Sequence, residues 1–513
     1  MKKLLLPLFA FCNYATTVIG QNPADSLIRY ADLRFHSEFE NKALNNFYKN
    51  RKDTFNLFLA IDPEMTENLA SRHYTTYKQV FKALNEKNIN AKKINKKIKS
   101  SYSITHSHFL KKYNENEYFP VMFESGNYNC VSASMIYAMV FDELEIPYVV
   151  KASARHVYLV ANPGANSVVI ETTNPGFEKA IFNGEFKQQY VNYLRSSKLI
   201  NESEYKNKST EEIFEEKFNA VKDAEFSNLP GFQYYNKALT KLQNNEIGEA
   251  LSLAQKAYFF FPDEQVKTLL YTALLYKIQK SKFEDEAEID YLAQFSRFEN
   301  TEQEAVIGIF NNIIAGFLEY TNKEGHCNAL YQRFTAQLSD QSLIREIDFT
   351  YNLQMSYRFQ KTNKIEPYIT KALEIKGNHQ DANIMMENHF NRKLLNINNT
   401  DVLLETINKL EQQYDIEAVK IHLKDHRSIA YLKIAAEKFE QRKSTAGEQY
   451  LQKFESTCDM PVDNQMLSFV VENTYRNVAL YYKYRGYKTK AKAYIDRGMK
   501  FVPNSNILKT VIP

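Results

Sequence analysis

Three residues whose types suit thiol chemistry follow one another in this chain: Cys130, His156 and Glu171. A cysteine attacks acyl groups as its thiolate, and a neighbouring imidazole takes the thiol proton and holds the resulting charge. The imidazole in turn needs a group that fixes its tautomer, and this group is commonly a carboxylate. The residue types therefore predict a nucleophile, its base and an orienting third member, provided that the fold brings them together.

The stretch around Cys130 predicts a turn followed by a helix over residues 130–144. Cys130 would then occupy the first helical turn, where free N–H groups and the helix dipole stabilise a thiolate. A small buried cysteine at the start of a core helix is the plainer interpretation of the same pattern. The helix is expected to end before Pro147, and one apolar stripe along it comprises Ala133, Ile136, Tyr137, Val140 and Leu144.

The residues after the helix predict antiparallel strands that carry the other two members. If residues 162–165 form the loop between the last two strands, Ala161 pairs with Asn166, and His156 lies directly opposite Glu171. Opposed residues on antiparallel strands share a face, with Cβ atoms about 4.5–5.5 Å apart. A one-residue shift of register would bring the next residue there instead. The three predicted strands cover residues 148–152, 156–161 and 166–172.

The order of these residues resembles the transglutaminase-like cysteine superfamily over roughly residues 90–180. The resemblance implies an α+β domain of the papain/transglutaminase-like type, with helices and a small antiparallel sheet. It also implies that Cys130 is the nucleophile, His156 the base and Glu171 the third member. The chain has Glu171-Thr172-Thr173 where that family often has Asp-Pro-Thr.

The chemistry implied is acyl transfer or hydrolysis of an amide or peptide through a thioester. Hydrolysis is favoured over cross-linking, because nothing in the sequence marks a second site for an amine substrate. The expected oxyanion donors are the Cys130 N–H and a group near Asn127 or Tyr128. No cofactor and no metal are expected.

The carboxyl-terminal part of the chain predicts paired amphipathic helices from residue 229 onward. It resembles the tetratricopeptide repeat, which implies an all-α helical solenoid that binds a protein or peptide partner. The expected division is a signal peptide over 1–20, a transglutaminase-like domain with a helical lead over 21–228, and the repeat domain over 229–513. The repeat spacing is carried by Tyr234, Ala238, Ala250, Ala257 and Pro262, and again by Tyr475, Ala479, Tyr482, Gly486, Ala491, Gly498 and Pro503.

The amino terminus predicts export. Lys2 and Lys3 precede a short apolar stretch, and a cleavage site is expected at residues 18–20, which places the protein in the periplasm or outside the cell. Three cysteines would remain after cleavage, so that at least one thiol is free in an oxidising compartment. Cys130 is the candidate for that thiol, while Cys327 and Cys458 either pair or stay as two buried thiols.

Composition excludes other classes of function. The net charge of +4 arises from 65 basic and 61 acidic residues spread along the chain, which predicts no nucleic-acid surface. Mean hydropathy of −0.49 predicts no transmembrane segment after the leader. The alternative to an enzyme is a catalytically inactive protein of the same domains that acts as a peptide- or protein-binding module. The oligomeric state is left open.

Overall fold

The computed structural model divides the chain into two compact units, residues 1–302 and 303–513. It describes residues 27–50, 53–152, 156–164, 167–170, 172, 187–188, 191–192, 194–195, 200–218, 222–299, 301–320, 323–397, 399–414 and 416–511. The predicted signal peptide over 1–20 lies outside these ranges. Within them, no helix is both long enough and apolar enough to cross a membrane.

In its described residues the first unit combines helices with two small sheets, so it has the α+β character expected from the sequence. Its helices are α1 (Glu38–Asn50), α2 (Thr54–Leu59), α3 (Glu67–Glu86), α4 (Ile94–Phe109), α5 (Val121–Glu124), α6 (Cys130–Glu143), α7 (Glu202–Asn207), α8 (Thr210–Phe218), α9 (Leu229–Gln243), α10 (Ile247–Phe260), α11 (Glu264–Lys280) and α12 (Ile289–Phe295). Short 3-10 turns cover Tyr30–Asp32, Ile89–Ala91, Phe226–Asn228 and Glu286–Glu288.

The centre of this unit is α6, whose residues from Cys130 to Phe141 are all buried. A helix that is apolar all round must be covered on every side, and α6 packs against α4, α9 and the strands β3 and β4. The strands are β1 (Lys112–Tyr113), β2 (Asn127–Tyr128), β3 (Tyr148–Ala152), β4 (Val157–Ala161), β5 (Val168–Ile170) and β6 (Lys222–Ala224). β1 and β2 pair in parallel, and the larger sheet has the antiparallel order β5-β4-β3-β6.

The register between β4 and β5 differs from the predicted one. Ala161 pairs with Val168 and not with Asn166, so the expected pairing was wrong by two residues. The physical reason is the connection between the strands, because the described β5 begins at Val168 and its partner there is Ala161. An even shift keeps the alternation of faces along the strand, but it removes the basis for placing His156 directly opposite Glu171.

The helices from α9 to α12 lie in the first unit, and the division expected between 228 and 229 stays a prediction. Side chains of α9 are bonded to the amino-terminal part of the unit. The Gln233 amide donates to Phe58 O at 3.0 Å and its carbonyl accepts from Phe119 N–H at 2.8 Å. Lys237 Nζ donates to Ile61 O at 2.8 Å. These hydrogen bonds join segments that are distant in sequence, so local sequence patterns do not predict them.

The second unit is helical throughout its described residues. Successive helices pack in pairs, and alternate helices also touch: α13 packs against α15, α15 against α17, α17 against α19, and α19 against α21. The helices are α13 (Gln303–Tyr320), α14 (Glu324–Thr335), α15 (Gln341–Phe359), α16 (Glu366–Ile375), α17 (Gln380–Leu394), α18 (Thr400–Gln413), α19 (Glu417–Glu440), α20 (Ser444–Thr457), α21 (Gln465–Lys483), α22 (Lys488–Phe501) and α23 (Asn506–Lys509), with a 3-10 turn over Asn363–Ile365.

Candidate thiol site

Cys130 is the first residue of α6, as the sequence predicts. Asn129 caps this helix: its side-chain oxygen accepts from the Ser132 N–H at 2.8 Å, and its own N–H donates to Ser132 Oγ at 2.9 Å. The Asn129 amide also donates to the carbonyl of Glu117 at 2.6 Å. The cap therefore fixes the helix start and holds the Cys130 backbone at the positive end of the helix dipole.

His156 directly precedes β4. Hydrogen bonds to the carbonyl of the next residue, Val157, fix the backbone at this point. The Val157 carbonyl accepts from Ser134 Oγ at 3.1 Å and from Thr172 Oγ1 at 2.9 Å. The first bond ties the start of β4 to α6, the helix that begins at Cys130. The His156 ring lies against that of Tyr158, with ring centroids 5.3 Å apart. The hydroxyl groups of Ser134 and Thr172 thus hold the first residue of β4, directly after His156.

Cys130 and His156 line the same cavity. Cys130 is 7% exposed, and the cavity measures about 20 Å³. A cavity needs about 10–15 Å³ to hold one water molecule, so this one has room for about one. The opposite wall comes from α9, the residue after α10, and α11, and comprises Phe232, Tyr235, Asn236, Phe261, Gln265 and Val266.

Glu171, the predicted third member, lies outside the described residues. Its role therefore stays a prediction. The nearest described residues on either side are Ile170, which pairs with Leu159, and Thr172, whose hydroxyl donates to the Val157 carbonyl.

The predicted oxyanion residues lie on β2, immediately before the cap of α6. The Asn127 N–H donates to Ser125 Oγ at 3.1 Å, and its side-chain amide donates to a Glu117 carboxylate oxygen at 3.4 Å. The Tyr128 ring contacts that of Tyr113, with centroids 5.7 Å apart. Among the described residues, neither Asn127 nor Tyr128 belongs to the lining of the cavity that holds Cys130. Their role as donors stays a prediction.

Cys327 and Cys458, the other two cysteines among the described residues, are separate thiols in different surroundings. Cys327 is fully buried in α14, and burial raises its pKa to about 11. Cys458 follows α20, and burial together with the nearby Asp425 carboxylate raises its pKa to about 11. The alternative of a Cys327–Cys458 disulfide is thus not realised, and both thiols are protonated at neutral pH.

The described part of the chain contains no group of three or more His, Cys, Asp or Glu side chains arranged to hold a metal ion.

The sequence did not identify the opposite wall of the cavity. The repeat pattern that begins near residue 229 predicts helix packing only within the carboxyl-terminal part, yet all seven residues from Leu229 to Tyr235 are buried. A usable signal was present, because a run of seven uncharged residues at a helix start predicts burial on all sides. Gly231 adds to it: a Cβ there would lie 2.7 Å from the Phe261 Cβ, so α9 and the end of α10 approach closely.

Comparisons of the chain with models of protein families, with curated proteins and with solved structures found no match.

Proposed function

We propose that the protein is an exported thiol enzyme of the transglutaminase-like type, which transfers or hydrolyses an acyl group through Cys130, His156 and Glu171. One observation carries the proposal: Cys130, at a capped helix start, lines a common cavity with His156. The helix α6 followed by the antiparallel strands β3 and β4 fits the core arrangement that the resemblance implies.

The chemistry follows from these positions. His156 takes the Cys130 proton, and the thiolate adds to an amide or peptide carbonyl. Collapse of the tetrahedral adduct breaks the C–N bond, and the imidazolium returns its proton to the departing amine, which leaves a thioester. His156 then takes a proton from water, the hydroxide attacks the thioester, and the carboxylic acid and the Cys130 thiol are released. Glu171 would hold the imidazole in the tautomer that these steps need.

The amino end of α6 supports a thiolate at Cys130. Backbone N–H groups of a first helical turn have no partners within the helix, and the dipole places positive potential there. The Ser132 N–H is taken by the Asn129 cap, so the backbone N–H groups that precede it in the turn are the nearest donors for a developing oxyanion.

The helical second unit is assigned a recognition role in this proposal. Paired helices that stack on alternate neighbours, as α15, α17, α19 and α21 do, form extended surfaces suited to a protein or peptide partner. This arrangement fits the tetratricopeptide-like interpretation of the sequence.

A second candidate function is that of a non-catalytic binding protein. It would retain Cys130, His156 and Glu171 but would not transfer or hydrolyse acyl groups. The small cavity favours it, because about 20 Å³ beside a 7% exposed thiol leaves no room for an acyl substrate unless the α9–α11 wall moves. The two candidates differ in whether Cys130 can be acylated.

A small activated ester separates them without knowledge of the substrate. On incubation with p-nitrophenyl acetate, the enzyme should release nitrophenolate and carry one acetyl group on Cys130, located by peptide mass spectrometry. The Cys130→Ala variant should lose this acetylation, and Cys327→Ala should keep it. Decay of the acetyl group in water, compared with decay in the presence of a primary amine, distinguishes hydrolysis from transfer. Absence of acetyl-Cys130 in the wild type, or equal acetylation of Cys458, would support the binding protein.

A further inference from the structure

The turn between α21 and α22 is a basic, tyrosine-rich tip. It covers residues 484–490, with the sequence Tyr-Arg-Gly-Tyr-Lys-Thr-Lys, and every residue in it is exposed. Tyr484 is 82% and Tyr487 56% exposed. A continuous run of exposed residues between two helices projects into solvent. We refer to residues 484–490 as the α21–α22 tip.

Helix stability does not explain the lysines of the tip. Lys488 and Lys490 lie in the first turn of α22, which contains no acidic residue. The helix dipole places positive potential at an amino terminus, so cations there are disfavoured and carboxylates are favoured. Arg485 lies just beyond the carboxyl end of α21, where the helix dipole favours a positive charge. The two lysines therefore cost helix stability.

Two of the three cations of the tip, Arg485 and Lys490, lie against aromatic rings. The Arg485 guanidinium is 3.6 Å from the Tyr481 ring centroid, and Lys490 Nζ is 5.5 Å from Tyr482 and 5.7 Å from Tyr487. Among the described residues, no cation of the tip forms an ion pair with a carboxylate. The nearest acidic residues along the chain, Glu472 and Asp496, lie outside the tip. The tip thus combines uncompensated positive charge with exposed tyrosine rings.

We propose that the α21–α22 tip docks on an anionic phospholipid surface, an interaction independent of the chemistry proposed for Cys130. Tyrosine is enriched where membranes meet water, since its ring is apolar and its hydroxyl is polar. Lysine and arginine near a bilayer are attracted by anionic headgroups. A projecting tip can meet a flat bilayer, whereas proteins that bind single-stranded nucleic acid use a groove along the backbone. The shape and the residue types favour the bilayer.

The test uses the chain without residues 1–20, so that the predicted signal peptide cannot bind lipid. The protein should sediment with vesicles of phosphatidylcholine mixed with phosphatidylglycerol and not with vesicles of phosphatidylcholine alone. Lys488→Glu with Lys490→Glu should lower the affinity at least about tenfold. This variant should fold normally, because carboxylates in a first helical turn are favoured by the dipole; Lys488→Gln with Lys490→Gln should show a smaller loss in the same direction.

The matched control is Lys93→Glu with Lys96→Glu, because these two exposed lysines lie at the start of α4, whose first turn also contains no acidic residue. It makes the same change of charge at another helix start and should keep the wild-type affinity. Tyr484→Ser with Tyr487→Ser should weaken binding severalfold, which a purely electrostatic attraction would not predict. Equal losses in the two charge variants would overturn the proposal, as would binding to neutral vesicles or tighter binding to a single-stranded oligonucleotide.

Discussion

Two helix pairs, α9–α10 in the first unit and α21–α22 in the second, place a tyrosine and a basic residue at matching positions. Tyr234 and Lys256 in the first pair correspond to Tyr475 and Arg497 in the second. In each pair the tyrosine hydroxyl and the basic side chain bind the same carboxylate. The origin of that carboxylate and its burial differ between the pairs.

In the first pair the carboxylate belongs to Glu40 of α1. Lys256 Nζ lies 2.8 Å from both Glu40 oxygens, and the Tyr234 hydroxyl donates to one of them at 2.9 Å. The side chains of Lys256 and Glu40 are 1% and 0% exposed. An amino-terminal helix far away in sequence thus provides the partner, and the ion pair is sealed from water.

In the second pair the carboxylate belongs to Glu455 of the preceding helix, α20. Arg497 Nε donates to it at 2.7 Å and the Tyr475 hydroxyl at 2.6 Å. Here the side chains of Arg497 and Glu455 are 25% and 26% exposed. A local neighbour provides the partner, and water reaches the pair.

A repeat pattern therefore specifies contacts inside a helix pair but not the environment outside it. In the first unit α1 provides the carboxylate that the preceding helix provides in the second. The same substitution at matching positions should therefore have different consequences.

Lys256→Ala should have the largest effect. It leaves the Glu40 carboxylate buried without its cation, which costs about 3–5 kcal/mol of unfolding free energy. Arg497→Ala should cost about 1–2 kcal/mol, because its partners keep access to water. Urea unfolding of the two variants measures both. Replacing the whole first pair, Glu40→Leu with Lys256→Met, should recover most of the loss, and equal losses in the two single variants would refute the distinction.

Lys237 of the first pair should give a smaller difference in unfolding free energy, and one that depends on pH. The matching position in the second pair is the apolar Val478. Burial lowers the pKa of Lys237 to about 8. The folded protein therefore loses this proton at lower pH than the unfolded chain, so the unfolding free energy should rise with pH above about 8. Between pH 8 and about 9.5 the gain should be about 1 kcal/mol. Lys237→Met should lack that rise, whereas a parallel pH profile in the variant would contradict the assignment.

The sequence predicted the local part of the candidate site and missed the distant part. The start of α6 at Cys130 and the bounds of β3 were correct, because capping residues and apolar periodicity are local signals. The register of β4 and β5 was wrong by two, since it depends on the length of the loop between them. The α9–α11 wall was missed, because Phe232 and Gln265 reach the cavity through packing between segments distant in sequence.

Alkylation of Cys130, Cys327 and Cys458 in one sample of the chain without residues 1–20 tests whether Cys130 is an activated thiol paired with His156. Cys327 and Cys458 serve as internal references, since burial raises the pKa of each to about 11. Iodoacetamide labelling, followed by peptide mass spectrometry across pH, should show Cys130 modified fastest at neutral pH, and His156→Ala should slow Cys130 alone. Labelling of Cys130 no faster than Cys458, with a rate unchanged by His156→Ala, would contradict the thiol-enzyme account.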